Sequence, residues 1–106
     1  MASPMELSLK RLKEQGYFTE ITEHFVRIRG MGYRKDLFGF CDVLALKESE
    51  VLAVQTTSPG NMNARVKKIT EHENLGIVRK SGIRIIVHGW RKNAKGVWVC
   101  TEVDMS

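Results

Sequence analysis

The chain is expected to form a single α/β domain over residues 1–106, with the element order α-β-β-β-α-β-β around a central mixed sheet. Three observations predict this. Two apolar strand-like runs, Phe38–Leu46 and Val51–Thr56, flank the short charged turn Lys47-Glu48-Ser49-Glu50 and read as a hairpin. A long segment of helical periodicity, Met62 to Lys80, follows them. Two further apolar runs, Ile83–Trp90 and Val97–Val103, close the chain around the turn Asn93-Ala94-Lys95-Gly96. With 106 residues the chain can bury one small core. Its 42% apolar and 27% charged content is that of an ordinary globular protein. There are no repeats, no low-complexity stretches and no linker long enough to divide domains.

Each element has a local reason. Glu6 to Gln15 is a short helix carrying Leu7, Leu9 and Leu12, stopped by Gly16. Phe25 to Ile28 alternates as a strand, and Gly30-Met31-Gly32 reads as a flexible connection. Phe38–Leu46 is apolar at consecutive positions, the mark of a strand buried on both faces. Ser58-Pro59-Gly60-Asn61 is a loop able to cap the helix after it. That helix presents Met62, Val66 and Ile69 on one face, with a break near Gly76 left open, and Ser81-Gly82 ends it.

Charge and cysteine usage narrow the setting. The formal net charge is +5, which favours a polyanionic partner. The cations cluster as Arg27, Arg29, Arg34 and Lys35, then Arg65, Lys67 and Lys68, then Arg91, Lys92 and Lys95. Cys41 and Cys100 have no CxxC spacing and read as reduced thiols in a cytoplasmic protein. No apolar run approaches the ~20 residues that span a bilayer. The first residues lack a basic segment followed by an apolar one, so no secretory signal is expected.

The candidate chemistry lies in the hairpin. Asp42 sits in its first run, Gln55 and Thr57 at the end of its second, and none of the three is needed for packing. Polar groups among buried strands cost free energy unless partnered. Oxygen ligands converging from neighbouring strands are what a hard divalent cation requires. Asp36 is either a second carboxylate or a partner of Arg34 and Lys35, and Glu20 and Glu23 are rival acids. The cationic sets on either side of this constellation suit a phosphate backbone. His24, His72 and His88 lack metal-ligand spacing and read as surface or packing residues, and Trp90 and Trp98 as core or interface aromatics.

This order and these motifs resemble the PD-(D/E)XK nuclease superfamily, and within it the small phage and archaeal Holliday-junction resolvases. Such proteins carry a Glu on the first helix, an Asp on the second strand and Glu-x-Lys on the third, then a helix and two strands. The matching positions here are Glu6, Asp42 and Gln55-Thr56-Thr57. The resemblance covers nearly the whole chain and implies an αβββαβ core. It also implies a metal-dependent endonuclease that hydrolyses phosphodiester bonds in branched, four-way DNA as a homodimer. Mg²⁺ or Mn²⁺ would be held by Asp42, Gln55 and Glu6, and Arg29, Arg34, Lys35, Arg65, Lys67 and Lys68 would hold phosphates. The chain departs from the pattern where Gln55 replaces Glu and Thr57 replaces Lys. Lys67, Lys68 or Lys35 is then the candidate for the missing cation. The rivals are a binding module of the same fold that does not cut, and a nuclease of flaps or single-strand ends.

Overall fold

The computed structural model describes residues 3–106. Helix α1 (Pro4–Glu14) starts where the Ser3 side chain accepts the Glu6 backbone N–H, with Pro4 at the first turn. Strand β1 (Phe18–Ile21) follows, then β2 (His24–Ile28), β3 (Met31–Lys35), β4 (Val43–Lys47) and β5 (Glu50–Thr57). A single 3₁₀ turn (Pro59–Asn61) leads into α2 (Met62–Thr70) and α3 (Leu75–Lys80), and β6 (Arg84–Lys92) and β7 (Trp98–Asp104) close the chain. Among the described residues no helix is long and apolar enough to cross a membrane.

Five strands form one mixed sheet in the order β1-β4-β5-β6-β7. β5 and β6 run parallel, joined by the α2–α3 crossover, and the other neighbours are antiparallel. Helices cover both faces. Leu12 of α1 packs with Val43, Ala45, Leu52, Val54 and Ile86. On the opposite face Ile69, Leu75 and Val78 pack with Phe40, Ile85, Val87 and Met105. Side chains alternate along β5, so Val54 faces α1 while Gln55 faces α2. Burying a residue such as Leu12 contributes on the order of 2 kcal/mol, and these two clusters hold the three layers together.

The structure adds to the expected elements and corrects some of them. The run Phe38–Leu46 is a strand only from Val43. Phe38 and Gly39 both take positive φ, closing a tight turn in which Leu37 and Cys41 bridge, and Phe40 drops into the core. The helix over Met62–Lys80 is interrupted at residues 71–74. There the Asn74 side chain donates to the Phe38 carbonyl (2.9 Å), and the His72 ring meets Phe40 edge-on. Gly39 is needed twice at this junction, because a Cβ would be strained at its positive φ and would collide with His72. Residues 18–21, not assigned to any element from the sequence, form an edge strand. Finally, Phe25–Ile28 does not join the main sheet. It pairs with Met31–Lys35, which begins inside the Gly30-Met31-Gly32 segment expected to be a flexible connection, as a separate two-stranded ribbon.

Candidate metal centre

Asp42 lies just before β4, and its N–H still donates to the Val54 carbonyl (2.9 Å). Val43 pairs with Val54, so Asp42 falls directly opposite Gln55 on the same face. Gln55 Nε2 donates to Asp42 Oδ2 at 2.6 Å, and the Thr56 N–H donates to the same oxygen at 3.0 Å. Both side chains are buried, at 4% and 3% exposure. Gln55 Oε1 has no hydrogen-bond partner among the described residues. An orphaned buried carbonyl oxygen costs about 1–3 kcal/mol, so its persistence calls for a reason.

Two further carboxylates converge here. One oxygen from each of Glu23, Asp36 and Asp42 lies within 4.8 Å of the others. Glu23 is brought in by the chain after β1, where the Thr22 and Glu23 N–H groups both donate to the Asp42 carbonyl (2.9 and 3.3 Å). Asp36 is brought in by the Leu37–Cys41 turn, whose Gly39 N–H donates to the Asp36 carbonyl (3.0 Å). The Asp42 carboxyl is pushed up to about 7, first by burial and then by the charges of Asp36 and Glu23, against the Thr56 N–H. The three carboxylates form an all-oxygen donor set of the kind a hard divalent cation takes, and these residues fit such an ion.

The group opens into a cleft of about 620 Å³. Arg34, Arg65 and Lys68 line it together with the carboxylates and Thr57, and the first residues of α1 form one wall. Arg34 pairs with Glu23 (3.1 Å) and Lys68 approaches Asp36 (3.9 Å).

Several sequence-predicted residues lie elsewhere. Glu6 is exposed and lines a shallow groove on the outside of α1 with Lys10 and Lys13. It sits two positions from buried Ser8, about 200° around the helix, so its carboxylate is turned from the cleft. Lys67 is not among the lining residues. Arg65 and Lys68 are three apart and share the helix face that meets the cleft, whereas Lys67 lies off it. Lys35 lines an adjacent groove beside His72 and Asn74, and Arg29 sits at the apex of the β2–β3 ribbon. Glu23, weighed from the sequence as a rival acid, and Asp36, weighed as a second carboxylate or a partner of Arg34 and Lys35, occupy the place expected for Glu6.

A second polar cluster lies under α1. Trp90 Nε1 donates to Ser8 Oγ (2.8 Å), Ser8 Oγ meets His88 Nδ1 (2.9 Å), and His88 Nε2 meets Glu102 Oε1 (3.3 Å). Ser8 and His88 are at most 1% exposed, so no substrate reaches them; the cluster ties α1 to β6 and β7. Cys41 is buried with its thiol pushed up to about 11 by burial, and it and Cys100 are both free.

No protein-family model, curated protein or solved structure matches the chain.

Proposed function

We propose that the cleft is the hydrolytic centre of a metal-dependent DNA endonuclease with a PD-(D/E)XK-type core, acting on branched DNA as a homodimer. The observation that carries the proposal is the convergence of Glu23, Asp36 and Asp42, with Gln55 hydrogen-bonded to Asp42, in a cleft walled by Arg34, Arg65 and Lys68. The strand order and the parallel β5–β6 pair agree with the αβββαβ arrangement.

Asp42, Asp36 and Glu23 would hold the cation, with Gln55 fixing the Asp42 carboxylate, and the ion would polarise the scissile phosphate and lower the pKa of a water. Arg65 and Lys68 orient the phosphate from the helix side and offset its charge. They contact backbone and not bases, so selectivity comes from DNA shape. A four-way junction offers two equivalent scissile strands, which a two-fold dimer meets with two sites. Edge strand β1 leaves Phe18 64% exposed beside its cross-strand partner Leu46, a face that a second copy covers.

Labelled duplex, flap and four-way-junction DNA incubated with Mg²⁺ is expected to show cleavage of the junction in preference to the duplex, abolished by EDTA. Binding without any cleavage would favour the non-cutting module, and a monomer by light scattering that cuts only flaps would favour the flap nuclease. Because Thr57 brings no charge, the cation that assists cleavage is assigned to Lys68. Lys68→Ala is expected to lower single-turnover cleavage of bound DNA by about 10–100-fold, while Lys67→Ala stays within about twofold. Equal losses in the two variants would remove Lys68 from this role.

A further inference from the structure

The β2–β3 ribbon stands apart from the sheet and the core. It pairs with no strand of the main sheet, and its side chains are exposed, among them Phe25 at 60% and Met31 at 77%. Residues 24–35 contain four Arg or Lys (Arg27, Arg29, Arg34, Lys35) and no Asp or Glu. Cross-strand register sorts the ribbon into two faces: Phe25, Arg27 and Arg34 share one, and Val26, Ile28, Met31 and Tyr33 the other. On the first face the Arg27 guanidinium lies 5.9 Å from the Phe25 ring centroid, and that ring lies across Gly32, where a Cβ would collide with it. Arg34 on the same face pairs with Glu23, so the cationic face runs directly into the cleft.

The apex shows what the ribbon is built for. Arg29 and Gly30 form a two-residue turn with positive φ at both positions (51° and 78°). Such turns favour Asn-Gly or Asp-Gly, and an Arg in the left-handed region costs about 1 kcal/mol. The chain holds a cation at the tip against this local preference. Isolated two-stranded ribbons are marginal in water, so a partner on this exposed one would add to its stability.

We propose that the β2–β3 ribbon is a duplex-binding arm that enters the major groove of DNA beside the scissile site, with Arg27 and Arg29 on the phosphates flanking the groove. The inference rests on the nuclease reading for its substrate. Charge complementarity selects the occupant: an arm with four Arg or Lys and no Asp or Glu matches a polyanion. Two paired strands fit the ~12 Å width of the major groove.

The test measures binding of a blunt-ended DNA duplex in EDTA by anisotropy across a salt series. It compares wild type, the double variant Arg27→Gln/Arg29→Asn, and a control, Lys80→Gln, at the C-terminus of α3 and beside the opposite end of the sheet. The double variant is expected to bind about tenfold more weakly and to flatten the slope of log Kobs against log salt by about 1.8, as for two lost phosphate contacts. The control is expected to match wild type. Thermal unfolding of the double variant should be unchanged or raised, because Asn suits the turn. Unchanged duplex affinity in the double variant, with wild type binding normally, would overturn the arm and leave the nuclease reading intact. So would a loss confined to phosphatidylserine vesicles or to self-association. Duplex binding by wild type without metal-dependent cleavage of any DNA would overturn the nuclease reading and leave the arm standing. No DNA binding by wild type would overturn both.

Discussion

Asp42→Asn is expected to remove divalent-metal-dependent cleavage and, in the same molecule, to stabilise the metal-free protein. The rate loss should be on the order of 10³-fold, or about 4 kcal/mol of transition-state stabilisation. Binding of DNA should persist, because the phosphate contacts come from Arg and Lys. The gain in stability follows from geometry. An Asn carbonyl can accept from both Gln55 Nε2 and the Thr56 N–H, as Asp42 Oδ2 does, while its amide can donate toward Asp36 and Glu23. The Asp42 carboxyl is raised in the folded state to about 7 from an ordinary 3.8, so the folded protein binds the extra proton between these values. Its ionisation therefore begins to cost stability as pH rises above about 4, and the cost is complete above about 7, on the order of 4 kcal/mol. The difference in Tm between Asp42→Asn and wild type, measured in EDTA, should grow across that window and then level off. Adding Mg²⁺ should stabilise wild type and leave the variant nearly unmoved. A variant that cuts normally would show that Asp42 is structural.

Ser8→Ala is expected to be the most damaging small change outside the cleft. It leaves the Trp90 indole N–H and His88 Nδ1 buried without partners, which costs about 2–5 kcal/mol and roughly 10–20 °C in Tm. Ser8 accepts from Trp90, so its own hydroxyl proton is free for His88 Nδ1, and the neutral imidazole then donates from Nε2 toward Glu102. Burial holds the His88 pKa below its ordinary 6.5, with Glu102 opposing. A depressed histidine contributes fully above the unfolded value, so this stability is lost as pH falls below about 6.5. Chemical unfolding of wild type and Ser8→Ala between pH 5 and 8 would check both points; a loss under about 1 kcal/mol would mean that the cluster is not a tie.

The sheet and the Asp42–Gln55 pair were legible because both rest on local patterns: consecutive apolar residues, a charged turn and a fixed register across a hairpin. Other features depend on contacts that no local pattern carries. Phe38–Leu46 looked like one strand because its composition is apolar throughout, yet the positive φ of Phe38 and Gly39 turns the first half into a corner. Arg29-Gly30 lacks the Asn or Asp that marks a tight hairpin, so Gly30-Met31-Gly32 read as a flexible connection and the second leg of the ribbon was not seen. Glu6 fitted the expected place in sequence, but the helix phase fixed by Ser8 and Leu12 turns it outward. Ser8 and His88 lie 80 residues apart and meet only in three dimensions.

Glu23 immediately precedes the first leg of the ribbon and Asp36 immediately follows the second. Since β2 and β3 pair only with each other, residues 24–35 form an excursion that leaves and re-enters the domain at nearly one point. Lengthening such an excursion adds only about 0.6 kcal/mol of closure entropy for each doubling. The number of residues between these two acids is therefore nearly free to drift, while their separation in space is fixed by the Asp42 segment that both legs clasp. A pattern that counts residues between carboxylates loses this centre at the ribbon, whereas one anchored on the pairing of Asp42 with Gln55 keeps it.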